Sequence, residues 1–171
     1  MIIKLVGMAT ILVSSSLIGF GCAERMSARE RELSLLNDAI VLVRDELIYS
    51  HLAVRELVFR VAPRLAGCAR DIFDTMCEYI RKGAGVPQSW ENALEENSSS
   101  CALGKNDVEI LKNSSFLFES YDFDEQEKAL AQLADRIERC RNKAMVFKEK
   151  NSKIVKMLGV YCGILLCIII F

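Results

Sequence analysis

Two apolar segments bracket this chain and leave almost every charge between them. From Leu5 to Ala23 nineteen consecutive residues carry no charge, and neither do the fifteen of Met157–Phe171 (MLGVYCGILLCIIIF), which follow a run of lysines. Every charged side chain except Lys4 lies in the interval. A polar stretch enclosed this way reads as a domain held at a membrane by both termini. Residues 1–23 form an N-terminal transmembrane anchor, 24–156 a helical bundle and 157–171 a C-terminal anchor. At about 1.5 Å per residue the first segment reaches ~28 Å as a helix, close to a hydrocarbon core of about 30 Å. The second reaches only ~22 Å on the same rise. Ile154 and Val155 lengthen it if Lys153 and Lys156 snorkel toward the headgroups.

Two other readings of the first segment stand beside the retained anchor. One is a cleaved signal peptide with Lys4 as its basic start. The other is a lipoprotein signal, since Gly21 precedes Cys22; the position three before such a cysteine is ordinarily Leu, and here it is Gly19. The flanks orient the anchors. Arg25, Arg29 and Arg31 follow the first, and Lys148, Lys150, Lys153 and Lys156 precede the second, whereas the outer sides offer only Lys4 and the N-terminus. The positive-inside asymmetry places 24–156 in the cytoplasm. Cysteine usage points the same way: seven cysteines at 22, 68, 77, 101, 140, 162 and 167 form no CxxC pair. They read as reduced thiols of a cytoplasmic domain and not as a disulfide framework.

Composition favours helices throughout, with two prolines and nine glycines in the chain. Leu33, Leu36, Ile40, Val43 and Leu47 repeat at three-four spacing, one stripe of a helix running from the first anchor to about Ser50. A second helix is expected over Leu52–Ala66, with Pro63 against its last turn, and a third over Ala69–Lys82. Gly83–Pro87 is a loop, and Trp90, Ala93 and Leu94 share one face of a fourth helix. Asn106 is the expected N-cap of a fifth, which carries Val108, Ile110 and Leu111. From about Asp124 the series Leu130, Leu133, Ile137, Cys140, Ala144, Phe147, Asn151, Ile154, Leu158, Tyr161 keeps a heptad-like spacing into the second anchor. The expected fold is all-α: a six-helix bundle whose first and last long helices are continuous with the membrane segments.

Chemistry is sparse. His51 is the only histidine, and no GxSxG element presents a serine to it. Gly104-Lys105 lacks the upstream glycine and the Ser or Thr of a phosphate loop. Cys68 and Cys77, nine apart on one helix, point to opposite faces, so a zinc site needs Cys101 or Cys140 as well. No catalytic, metal-binding or cofactor-binding residue is assigned, and the chain reads as non-enzymatic. A near-neutral middle domain also argues against nucleic acid.

Charge is nonetheless patterned. Glu91–Glu127 holds ten acidic residues and two lysines, and Ile137–Lys156 seven basic and two acidic. The basic stretch suits anionic lipid beside the membrane. The acidic one (Glu95, Glu96, Asp107, Glu109, Glu119, Asp122, Asp124, Glu125) is either a solvated face or a dock for a basic partner.

The whole pattern resembles the stage III sporulation protein AB family of endospore-forming bacteria. The resemblance is carried by Gly19-Phe20, the Arg29-to-Leu36 entry, Leu47-Ile48-Tyr49-Ser50-His51 and Trp90 with Leu94. It continues through Asp107-Val108-Glu109-Ile110-Leu111, Asp124, Gln126, Asn151-Ser152-Lys153, Leu158-Gly159 and Gly163. The family usually has glycines between the fifth and sixth helices, where this chain reads Ser115–Tyr121 as SFLFESY. The resemblance implies a place in the mother-cell membrane around the forespore. It also implies a soluble domain similar to the inner-membrane platform of type II secretion and type IV pilus systems. It further implies a cytoplasmic sporulation ATPase, stage III sporulation protein AA, as partner within a channel complex that has other membrane components. A self-associating coiled-coil protein is the alternative.

Overall fold

The computed structural model describes residues 2–118 and 122–170. Among them are six α-helices and no strand: α1 Ile2–Ser50, α2 Val54–Val61, α3 Gly67–Arg81, α4 Val86–Asn97, α5 Lys105–Lys112 and α6 Phe123–Ile170. Two 3-10 turns, Ala62–Arg64 and Ser115–Phe118, follow α2 and α5. The chain is therefore the all-α, six-helix protein expected, with α1 and α6 running without a break through the apolar segments. It divides into two compact units, residues 31–142 and residues 1–30 with 143–171.

The 31–142 unit is closed by the inward faces of all six helices. Leu33, Leu36, Ile40, Val43 and Leu47 of α1 are buried as their spacing requires. So are Leu57 and Val61 of α2, Ile72, Phe73, Met76 and Ile80 of α3, and Leu130, Leu133 and Ile137 of α6. Trp90 on α4 stands at the centre, 0% exposed. Its ring meets Phe73 edge-on at 6.1 Å and Phe118 at 5.5 Å between centroids. Its indole N–H donates to the Leu111 carbonyl at 2.9 Å. One side chain thus ties together α3, α4, the end of α5 and the turn that follows, and its only polar atom is satisfied.

Element ends are set by local chemistry. Pro63 stops α2 as an α-helix, and the chain tightens into 3-10 geometry at Ala62–Arg64. Pro87 falls in the first turn of α4, where its missing N–H costs nothing. The expected cap of α5 is corrected: the helix begins at Lys105 with Gly104 as N-cap. The Asp107 carboxylate, at the third helical position, accepts the Gly104 N–H at 2.9 Å. That carboxylate outcompetes Asn106 because it satisfies an otherwise orphaned N–H at the helix start. At the end of α1, His51 turns the chain with φ 54°, its N–H donating to Leu47 O at 2.9 Å, and its ring stacks on Phe123 at 4.6 Å.

The other unit is a pair of antiparallel helix segments. Ser15 Oγ donates to the Gly159 carbonyl, and Gly19 and Gly159 approach so closely that a Cβ on Gly159 would lie 2.9 Å from the Gly19 Cα. Gly163 sits against Leu12 and Ser15, and Cys167 near the Met8 carbonyl at 3.6 Å. The α6 row is therefore Val155, Gly159, Gly163, Cys167, at intervals of four. This corrects the expected continuation of the three-four stripe. Phe147, Ile154, Leu158 and Tyr161 are 51%, 52%, 53% and 57% exposed. Asn151 donates to its own helix at Phe147 O (2.8 Å) and sets no interhelical register. Where every residue is apolar, periodicity of hydrophobicity loses contrast, and small residues decide which face meets the neighbour.

Candidate functional site

Both α1 and α6 contain a stretch long and apolar enough to cross a membrane. Only 11% of each stretch is buried within the chain, so most of these side chains face outward. At the polar border of the hairpin Lys156 sits over the Phe20 ring at 5.8 Å, and Lys148 pairs with Glu30 at 3.3 Å. Arg25, Lys150 and Lys153 are exposed in the same unit and Arg29 is half-buried; Arg31, the first residue of the other unit, is exposed. Basic residues at this border, with Lys156 over an aromatic ring, are what a membrane-surface cluster requires. Beside it runs an apolar groove of about 570 Å³ between the helices, lined by Ser14, Ile18, Cys22, Val155 and Cys162 among others.

The eight acidic residues singled out in the sequence fall in different places. Glu95 and Glu96, at the end of α4, are exposed. Lys112 donates to Glu95 at 2.8 Å, and this hydrogen bond and its charge hold the Glu95 carboxyl below its ordinary range. Glu96 accepts the Tyr79 hydroxyl at 3.2 Å, which pushes the phenol up. Glu109 is exposed on α5. Asp107 is 1% exposed and committed to the α5 cap, so it presents no charge to a partner. Asp122, Asp124 and Glu125 are exposed around the start of α6, where the last two favour the helix dipole. Glu119 lies outside the described residues.

One cluster escaped sequence reasoning. Cys68 in the first turn of α3 and Cys101 in the loop after α4 form a disulfide across 33 residues, with Cα atoms 5.7 Å apart. The expectation that the cysteines are all reduced thiols is corrected for this pair. The pairing depends on the path of the 98–104 loop, which no local spacing encodes. Glu32 of α1 joins the two: its carboxylate accepts the Ala102 N–H, and one of its oxygens and both sulfurs lie within 4.8 Å of one another. Cys22 and Cys162 are exposed free thiols. Cys77 is a buried one, with its acidity reduced chiefly by burial. His51, the sole histidine, is exposed and held by its stack on Phe123.

Known proteins resemble the chain over nearly its full length. The sequence profile described as stage III sporulation protein AB matches residues 4–171. Stage III sporulation protein AB of Bacillus subtilis (strain 168) is 25% identical over 169 residues, covering 98% of this chain and 99% of that protein. A solved structure of a stage III sporulation protein AB superposes with a TM-score of 0.65 at 21% identity, covering 72% of this chain and 98% of that one. The last likeness concerns the fold.

Proposed function

The chain belongs to the stage III sporulation protein AB family, and on that premise we propose that it is a non-enzymatic membrane platform that docks a cytoplasmic ATPase to a sporulation channel complex. The relatives it matches carry the name of a sporulation protein and of no enzyme. The observation that carries the reading is the unbroken course of α1 and α6. Each joins an apolar, outward-facing segment to the helical unit, so a load on that unit reaches the bilayer through continuous helix.

The proposed orientation puts the 31–142 unit in the cytoplasm of the mother cell, at the membrane around the forespore, because Arg25, Arg29, Arg31, Lys148, Lys150, Lys153 and Lys156 flank the spans on that side. The proposed dock is the exposed acidic set: Glu95, Glu96, Glu109, Asp122, Asp124 and Glu125. Asp107 leaves this set because it is buried, and the Lys112 partner leaves Glu95 the weaker contributor. Such a surface steers a basic partner and sets its approach more than its affinity.

The test is binding of the full chain in nanodiscs to stage III sporulation protein AA of the same organism, at low and moderate salt. Saturable binding that weakens with salt and is reduced by E109K and D124K supports the dock. No binding at either salt removes the ATPase role. A second reading, self-association, is favoured by the outward position of Val146 and Phe147, 58% and 51% exposed. Crosslinked dimers in nanodiscs at one chain per disc on average, lost in F147S, would favour it.

A further inference from the structure

Glu32, Cys68 and Cys101 come from three elements that are distant in sequence, and the fold builds their meeting place deliberately. Gly67, the first residue of α3, has φ +57°, and a Cβ there would lie 2.9 Å from Leu35 Cδ1. Any L side chain here is strained at this φ and presses on the Leu35 terminus, so glycine suits a start of α3 hard against α1. Leu35 and Glu32 are three residues apart on α1 and share a face, which brings the carboxylate to the Cys68 sulfur. The loop then delivers Cys101 from the other side, fixed by the Ala102 N–H on Glu32. Cys68 and Cys101 are buried, at 5% and 8% exposure, and Glu32 is half-buried.

We propose that this triad, with its sulfurs reduced, is a binding site for a zinc-class divalent cation, ligated by two thiolates and one carboxylate. The inference is independent of the ATPase docking role. Two thiolates select a borderline-soft ion over calcium or magnesium, and a carboxylate completes a set common for zinc. Tetrahedral bonds of about 2.0–2.3 Å place ligand atoms about 3.5–3.8 Å apart. The three ligand atoms lie within 4.8 Å with the sulfurs bonded to each other, so on reduction the sulfurs part toward the tetrahedral spacing while Glu32 stays beside them. Cys68 also stands in the first turn of a 15-residue helix, where the positive end favours the thiolate. Water takes the fourth position.

The two states exclude each other. A dithiol reductant gives two electrons and two protons to the Cys68–Cys101 bond, which breaks to two thiols while the reductant closes to its own disulfide. Metal capture then forms two S–metal bonds and releases both thiol protons. In the oxidised state a covalent bond joins α3 to the 98–104 loop and the Ala102 N–H ties that loop to Glu32 of α1; in the reduced state the ion would hold all three.

Titration of the reduced full chain in nanodiscs with Co²⁺ tests the site. The expected result is thiolate-to-metal charge-transfer absorption that saturates near about one ion per chain and is displaced by Zn²⁺. C68S and C101S abolish it, the oxidised chain lacks it, and a chain with Cys22, Cys77, Cys140, Cys162 and Cys167 replaced by Ser keeps it. E32Q keeps the absorption and loses about tenfold or more in affinity. Should the serine variants misfold, alkylation of the unaltered reduced chain replaces them: Zn²⁺ should slow labelling of Cys68 and Cys101 and leave Cys22 and Cys162 unchanged. A reduced, helical chain without the charge-transfer band overturns the site, as does equal labelling with and without Zn²⁺. Unchanged affinity in E32Q overturns the carboxylate as ligand and with it the proposed triad.

Discussion

The same two helices, α1 and α6, pack by different rules in their two stretches. In the 31–142 unit their large apolar residues at three-four intervals, Leu33 to Leu47 and Leu130 to Ile137, are buried in the core. In the hairpin of residues 1–30 and 143–171 the contact row is Gly19 and Ser15 against Gly159 and Gly163, and the backbones nearly touch. Two solvents would account for the difference: water around the first stretch and a bilayer around the second, which both helices are long and apolar enough to cross. In water, removing a large side chain from solvent stabilises by about 25 cal/mol per Å². In lipid the tails are as apolar as leucine, so that gain vanishes and close backbone packing with an occasional hydrogen bond takes over. Large side chains on the hairpin turn outward from the helix pair, as Leu17, Ile18, Leu165 and Ile168 do, all more than half exposed.

Substitutions at the centre of each stretch break the comparison most directly. Trp90→Ala should destabilise the 31–142 unit by about 3–5 kcal/mol, because a cavity opens among Phe73, Phe118 and Leu111 and the Leu111 carbonyl loses one of its donors. Urea unfolding followed by circular dichroism measures it, and the hairpin crosslinks should persist. Gly159→Leu reverses the pattern. It should weaken the hairpin by about 1–3 kcal/mol through overpacking and leave the urea midpoint unchanged. Loss of disulfide crosslinking between cysteines placed at Leu12 and Gly163 reports it. An equal loss of the urea midpoint would mean that the two stretches do not obey separate rules.

Smaller effects sharpen the account of the helical unit. Asp107→Ala should cost about 1–2 kcal/mol, since a buried cap is lost and the Gly104 N–H goes unpaired. Asp107→Ala and a surface change such as Glu109→Ala should therefore differ in urea midpoint, although the sequence puts both carboxylates in one acidic run. The smallest effect belongs to the Glu95–Lys112 pair. Glu95 titrates below its unfolded range, so whatever stability the pair supplies is present above that range and fades as pH falls through the folded value. Lys112→Gln should return the Glu95 carboxyl toward its ordinary range by NMR titration. Salt should shrink the difference, as exposed pairs require.

How much of this was legible in the sequence depends on the range of the signal. The Leu33–Leu47 stripe and Trp90 with Leu94 were readable because hydrophobic contrast at helical period needs only neighbouring residues. The extended stripe through Phe147 and Tyr161 failed for the opposite reason: inside an apolar segment that contrast disappears, and the informative residues are Gly159 and Gly163. Asp107 belongs by sequence both to the first turn of the fifth helix and to the acidic run; only its contact with the Gly104 N–H separates the two roles. The Glu32–Cys68–Cys101 cluster needed tertiary structure outright, since a loop returns Cys101 to a helix start 33 residues earlier.

The contact of Ser15 with Gly159 joins residues 144 apart, and that separation has a consequence for the order of assembly. Closing so long a loop from an unfolded chain is slow and entropically costly. Folding of residues 31–142 into their compact unit before the hairpin closes would lower that cost, because the intervening chain is then no longer a flexible loop. On that order the glycine row on α1 waits without its partner for as long as the 31–142 unit takes to fold. A defect in the core around Trp90 would then surface far from itself, as an unpaired glycine face open to other helices.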